Sequence, residues 1–354
     1  MTMPYAPIMP NSIAGRLPAL APHTDQLLTV GIDVGGTKTA YVVTDADDRV
    51  LLHAVVPTDT TRLAGQLGDL IRGAVARCSA DDGDRVAAVG VAVPGHVEPD
   101  TGTIRLAVNL GGNRDGSAMR LGPMLAESVG LPCYVEHDAR AAASWIESSG
   151  ADGDVPLDLA YLSVGTGISA GIVLNGRVLR GANGLAGEVG HVSADPDDGR
   201  CACGLIGCLE HVTAGPAIVR MVHEALASGR QSTLGPDATP TDVFRAAEAG
   251  DQLAAELATT VAERLGRAIR SLVLTLGVSY VVIGGGVAGA GEALLRPVLE
   301  AIGRERAASP LVEAAFADTR VVILSPNVEA GARGVAAIAR RRVLADRREG
   351  VGER

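Results

Sequence analysis

Three thiols stand in one short stretch, Cys201-Ala202-Cys203-Gly204-Leu205-Ile206-Gly207-Cys208. Soft sulfur donors on a knuckle that glycine permits suit a tetrahedral metal, and zinc wants a fourth ligand. His191 and His211 are the two candidates nearby in the chain. With every position filled by protein no place is left for water, so the zinc expected here is structural. The other two cysteines, Cys78 and Cys133, bring the total to five. An odd number with three clustered is poor material for a disulfide framework and points to reduced thiols in the cytoplasm.

A second chemistry is written in glycine. Asp33-Val34-Gly35-Gly36-Thr37-Lys38 follows an apolar run. Glycines there let the backbone approach a phosphate, while amides and the Thr37 hydroxyl donate to its oxygens. The Asp33 carboxylate could hold Mg2+, through water. Lys38 is the single lysine among 31 basic residues, but the spacing is not that of a lysine-bearing P-loop. Gly165-Thr166-Gly167 and Gly284-Gly285-Gly286 are further glycine turns, each after an apolar run.

These turns need strands to carry them. Leu27 to Ile32, Thr39 to Val43 and Val50 to Val56 read as an antiparallel meander. Leu63 to Val75 has helical spacing, and Val86 to Val93 is a buried strand stopped by Pro94-Gly95. The pattern then returns: Leu159 to Val164, the Gly165 turn, Ile168 to Leu174, an Asn175-Gly176 hairpin signal and a third strand from Arg177. A strand, a glycine turn and two more strands thus occur twice, which predicts an α/β protein of two duplicated lobes with phosphate-holding turns facing across a cleft. Downstream, Leu253 to Leu272 steps as a long amphipathic helix. Tyr280 to Ile283 and Arg320 to Leu324 read as strands, and Gly331 to Leu344 as an alanine-rich helix whose arginine-rich end, from Arg340, is expected to be solvated.

The chain has 354 residues, 47% apolar, with net charge −10. It can bury more than one compact core, and its acidity argues against a nucleic-acid or anionic-membrane partner. The segment before Leu27 carries Pro4, Pro7, Pro10, Pro18 and Pro22 and no signal-peptide pattern, so it reads as a flexible extension. The uncharged stretch from Ser271 to Gly291 is broken by three consecutive glycines and does not read as a membrane span.

Taken in order, Asp33-Val34-Gly35-Gly36-Thr37-Lys38, Gly165-Thr166-Gly167, Gly187-Glu188-Val189-Gly190-His191 and the cysteine knuckle through Glu210 resemble the ROK family of sugar kinases and sugar-responsive repressors. The resemblance runs from about Leu27 to Arg340. It implies an actin-like (ribonuclease H-like) kinase fold with ATP between two lobes, Mg2+ on the nucleotide, a sugar at the hinge and a homo-oligomer, dimer or tetramer. The expected division is an extension over 1–26, a small lobe over 27–136 with helix 328–345 packing back on it, a large lobe over 137–327 carrying the zinc knuckle, and a tail over 346–354.

By the same resemblance, His191, Cys201, Cys203 and Cys208 are the zinc ligands and His211 a neighbour. Asn109, His137, Asp138, Glu188, His191 and Glu210 would face the sugar. Asp138 would be the base that takes the proton of a glucose-type aldohexose's 6-hydroxyl; from the residue alone it could equally cap a helix. Asp33, Gly35, Gly36, Thr37 and Lys38, with Gly165, Thr166, Gly167, Gly284, Gly285 and Gly286, would hold ATP. His137 departs from the family's asparagine, and imidazole donates and accepts from a bulkier ring. That opens an amino hexose, 3-amino-3-deoxyglucose or N-acetylmannosamine, as the alternative substrate. Ala214 and Gly112 are smaller departures that also bear on sugar identity. The repressor alternative lacks room for a DNA-binding domain before Leu27, and polyphosphate as donor lacks a basic track.

Overall fold

The computed structural model describes residues 27–78, 85–107, 110, 117–150, 157–195 and 199–352; the expected extension over 1–26 lies outside them. The first sheet is built from β1 (Leu27–Val34), β2 (Lys38–Thr44), β3 (Val50–Pro57), β4 (Arg85–Val93) and β7 (Cys133–His137), in the order β3-β2-β1-β4-β7. Between β4 and β7 lie a small hairpin, β5 (His96–Glu98) and β6 (Thr103–Arg105), and α2 (Leu121–Val129); α1 (Leu63–Cys78) precedes β4. The second sheet repeats the plan with β8 (Leu159–Val164), β9 (Ile168–Leu174), β10 (Arg177–Val178), β11 (Tyr280–Gly284) and β12 (Arg320–Ile323), in the order β10-β9-β8-β11-β12. In both, the first three strands are antiparallel and the last two join in parallel. The duplication read from the glycine turns is therefore a duplication of topology.

Sequence pattern explains the layers. Central strands β1 and β4 are apolar almost throughout and buried on both faces, as parallel neighbours covered by helices must be. β3, at the edge, alternates strictly, with Leu52 and Ala54 turned inward and Leu51 and Val55 outward. Asn175 and Gly176 both take positive φ, 52° and 70°, the primed hairpin geometry their types favour. The third strand of the repeat is shorter than expected, though Leu179 N–H still reaches Ile172 O at 2.8 Å.

The second lobe is enlarged by α4 (Leu209–Thr213), α5 (Gly215–Ala227), α6 (Pro240–Glu248), α7 (Gln252–Leu276), α8 (Glu292–Ala308) and α9 (Pro310–Ala315). α7 buries Ala258, Val261, Leu265, Ile269 and Leu272 against the second sheet's core, each fully buried Leu or Ile contributing roughly 2 kcal/mol. Asp251 opens it by accepting from Ala254 N–H at 2.9 Å, and Gly277 closes it in the left-handed conformation.

Two helices exchange lobes. α3 (Asp138–Gly150) follows β7 out of the first sheet and packs on β8 and β9 of the second; α10 (Ala330–Gly352) follows β12 and packs back on β1 and β4. They cross where Gly334 meets Ala141: a Cβ on Gly334 would lie 1.9 Å from Ala141 O. α10 continues through Gly352 into residues expected as a tail. Its arginine-rich end is solvated only in part: Arg341, Arg347 and Arg348 are exposed and Arg340 and Arg342 half-buried. Arg340 donates to Asp45 O at 2.5 Å, Arg341 to Ser144 Oγ at 3.0 Å and Arg342 to Pro99 O at 2.8 Å. Two loop carbonyls and a hydroxyl of α3 lie within reach of these long side chains, which charge alone does not foresee. No helix among the described residues is long and apolar enough to cross a membrane.

Candidate active site

β7 ends at His137 and α3 begins at Asp138, so these two residues stand where the chain crosses between lobes. Asp138 Oδ1 accepts from Ala139 N–H at 2.6 Å, and the side chain stays 29% exposed. His137 is buried at 4% exposure, with Nδ1 3.1 Å from Asp138 Oδ1 and Nε2 3.6 Å from Glu188 Oε1. Its Nδ1 makes a close contact without hydrogen-bond alignment. A base candidate and a sugar-reading candidate are thus joined through one imidazole.

Asp33, at the end of β1, approaches the same point. A Cβ on Gly331, in the first turn of α10, would lie 2.3 Å from Asp33 Oδ2. Burial, then the charges of Asp138 and Glu329, raise the Asp33 carboxyl to about 7, with Lys38 offsetting part of the effect. Beneath these acids, burial and the charges of Asp33 and Asp138 push the Tyr161 hydroxyl well above its usual range. Glu329 belongs to this cluster although no motif announced it. It sits at φ 50° just before α10 and 3.4 Å from His53 Nε2.

The phosphate candidates form two groups. Gly165 N–H bonds to Gly167 O at 2.9 Å, and Gly165 O accepts from Gly215 N–H at 2.8 Å. Gly285 has φ 83°, and a Cβ there would lie 2.6 Å from Val164 O, so only glycine fits. Gly286 N is within 3.6 Å of where a Gly165 Cβ would sit, because β8 and β11 are adjacent. The Gly165–Gly167 and Gly284–Gly286 turns therefore adjoin on the second lobe. On the first, Gly35 N–H bonds to Lys38 O at 2.9 Å, and Thr58 fixes the turn through Gly35 O (2.7 Å) and Thr37 O (3.0 Å). Gly36 is half-buried in this turn, and Thr37 and Lys38 are exposed beside it.

The metal candidates converge. One donor atom from each of His191, Cys201, Cys203 and Cys208 lies within 4.8 Å of all the others. His191 Nδ1 is 3.8 Å from Cys201 Sγ, and Cys203 Sγ is 3.6 Å from Cys208 Sγ, spacings that suit ligands sharing one tetrahedral zinc. Burial and the neighbouring thiols push Cys208 up to about 12, a cluster that a cation would let ionise. Facing inward by Nδ1, His191 keeps Nε2 for another partner. His211 is outside this group; its carbonyl accepts from Arg220 at 2.8 Å and its ring lies against Gly199.

Glu210 is partly committed, since Oε2 accepts from Ile168 N–H at 2.9 Å and so ties the knuckle to the end of the Gly165 turn. Ala214 is buried at the start of α5. Asn109 and Gly112 lie outside the described residues. Sequence reasoning also passed over Glu136, Arg140, Arg180 and Tyr161; the one available signal was an ionisable pair, Glu136 and Arg140, flanking Asp138 in an otherwise apolar stretch.

A model of the ROK family matches residues 29–342. The glucokinase of Halalkalibacterium halodurans is 37% identical over 286 residues, 76% of this chain and 83% of that protein. The N-acetylmannosamine kinase of Escherichia coli is 31% identical over 295 residues, 80% of this chain and 90% of that one. Among solved structures, a ROK family glucokinase from Streptomyces griseus in complex with glucose and AMPPNP superposes with a TM-score of 0.72 at 31% identity, covering 89% of this chain and 99% of that one.

Proposed function

The chain belongs to the ROK family, and from that premise we propose that it is an ATP-dependent hexose kinase that phosphorylates the 6-hydroxyl of a glucose-type sugar at the lobe crossing. The observation that carries this is the meeting of Asp138, His137 and Glu188 at the lobe crossing, with Asp33 beside them.

ATP lies with its phosphates on the turns at Gly165–Gly167 and Gly284–Gly286 and its γ-phosphate toward Gly35–Lys38. Asp138 accepts the proton of the 6-hydroxyl as that oxygen attacks phosphorus in line; the new O–P bond forms as the bond to ADP breaks. Glu188 and Glu210 accept from sugar hydroxyls. His191, its Nδ1 turned to the thiols, donates through Nε2. Asp33 would hold Mg2+, whose charge supports the transferring phosphate; carboxylates crowded enough to raise Asp33 to about 7 fit a divalent cation. His191, Cys201, Cys203 and Cys208 would hold zinc, which would fix the loop carrying His191 in a structural role outside the transfer. The odd, clustered set of cysteines in the sequence favours a cytoplasmic enzyme, and the family resemblance implies a homo-oligomer.

Asp138→Asn tests the central step: turnover should fall by about 10²–10⁴-fold while calorimetry still shows sugar binding. Undiminished turnover would remove Asp138 as the base.

His137 favours a second reading, an amino hexose. Both ring nitrogens face carboxylates, so this edge of the site presents a hydrogen-bonding pattern unlike that of an amide. Buried polar partners discriminate between substrates by orders of magnitude. If His137 sets the preference, His137→Asn will reorder a panel of glucose, mannose, glucosamine, N-acetylmannosamine and 3-amino-3-deoxyglucose; an unchanged ranking would discard the idea.

A further inference from the structure

Behind the sugar candidates lies a buried charged group with no role in the transfer just described. Glu136, the residue before His137, is 1% exposed. Its Oε1 accepts from His137 N–H at 3.0 Å and lies 3.6 Å from Arg140 Nη1, while Oε2 accepts from Arg180 Nη2. Arg140, also 1% exposed, turns its Nη2 to the carbonyls of Gly184 and, at 3.5 Å, Ala186.

The topology gives these contacts meaning. Glu136 is on the last strand of the first sheet, Arg140 is in the first turn of the crossing helix, and Arg180 to Ala186 belong to the loop that leaves β10 of the second lobe. That loop ends at Glu188. It holds Gly181, Gly184 and Gly187, all at positive φ, so it has little stiffness of its own. Its far end is pinned where Ala170 N–H meets Gly187 O at 2.7 Å. Its middle is held by Arg140. Burial pulls the Arg140 guanidinium below its usual range, and the charges of Glu136 and then Glu188 act against that, so Arg140 also faces Glu188 electrostatically.

Arg140 Nη2 alone carries the hydrogen bonds, reaching both loop carbonyls, while Nε and Nη1 are buried without a hydrogen-bond partner. Arg140 is thus held by Nη2 and by its charge against Glu136. We propose that Arg140 is a positioning residue that sets Glu188 against His137 and Asp138, with Glu136 and Arg180 as its anchors across the lobe boundary. It touches neither sugar nor nucleotide. It fixes the separation between the residue that takes the proton and the residue that reads the hydroxyls.

This rests on the hexose-kinase reading, and the test separates the two. Arg140→Lys keeps the charge but loses Nη2. The double variant Glu136→Gln/Arg140→Met removes both charges together, avoiding a stranded Glu136. For each, KM for sugar, KM for ATP, kcat, zinc content and melting temperature are measured beside the parent. The expected result is a sugar KM raised about tenfold or more and a lowered kcat, with KM for ATP within about twofold and zinc retained. A merely structural arginine would lower the melting temperature and the active fraction while leaving both KM values in place; that result would overturn the proposal. A parent protein that phosphorylates no hexose would instead fail the kinase reading itself.

Discussion

At the scale of single residues, Asp33 makes the clearest electrostatic statement. Its carboxyl is raised from 3.8 to about 7, by burial first and the charges of Asp138 and Glu329 next. A carboxyl raised in the native state favours folding while protonated. Its contribution is complete below the unfolded value of 3.8 and is lost as the pH rises through about 7. Asp33→Asn removes that penalty. Without nucleotide or metal, the variant should melt above the parent at pH 8, the gap closing toward pH 4; a gap of equal size at both pH values would mean that ionisation of Asp33 is not its cause. Residue types in sequence picked out Asp33 and the three clustered cysteines because their motifs are short, whereas Asp138 as base and His191 over His211 as the fourth donor came from the family resemblance. They did not reveal Glu329 or Arg140. Glu329 has no neighbour along the chain that explains it, and Arg140 has only Glu136 four residues before it; both gain their meaning from groups that the fold brings beside them.

At the scale of elements, two features control the site. The knuckle from Cys201 to Cys208 carries three of the four residues that could hold zinc, and Glu210 just after it makes a hydrogen bond to the start of β9. Cys203→Ser should take zinc from about one per chain to near none and lower the melting temperature, since metal binding contributes to folding; unchanged metal content and melting would contradict the assignment. The second feature is the crossing of α3 and α10. Gly334→Val forces atoms toward Ala141 O, where a Cβ alone would sit at 1.9 Å. Overpacking there should cost about 3 kcal/mol or more in urea unfolding, whereas a loss below about 0.5 kcal/mol would mean that the helices separate freely. The strands around the glycine turns were legible because apolar runs and turn residues mark them. β7 was not, since Cys133 to His137 is short and ends in charged and polar residues. The return of α10 to the first lobe was expected only from the family resemblance, and the exchange of α3 was not seen, because periodicity reports which face of a helix is apolar, not which sheet receives it.

At the scale of the whole molecule, duplication explains why the site lies where it does. Each sheet ends in a strand whose following helix packs on the other sheet, so the first residues of α3 and α10 meet between the lobes. Asp138 begins one helix and Glu329 immediately precedes the other, and both act on Asp33. The repeated glycine turns predicted the two sheets. The reciprocal crossing, which makes the hinge, required the packing itself. The most direct measurement of the account is ADP release by the purified protein with ATP and Mg2+, with and without each of glucose, mannose, fructose, glucosamine, N-acetylmannosamine and 3-amino-3-deoxyglucose. The account predicts release that depends on an aldohexose and is negligible without sugar. Release that is independent of sugar, or absent with every hexose, would contradict it.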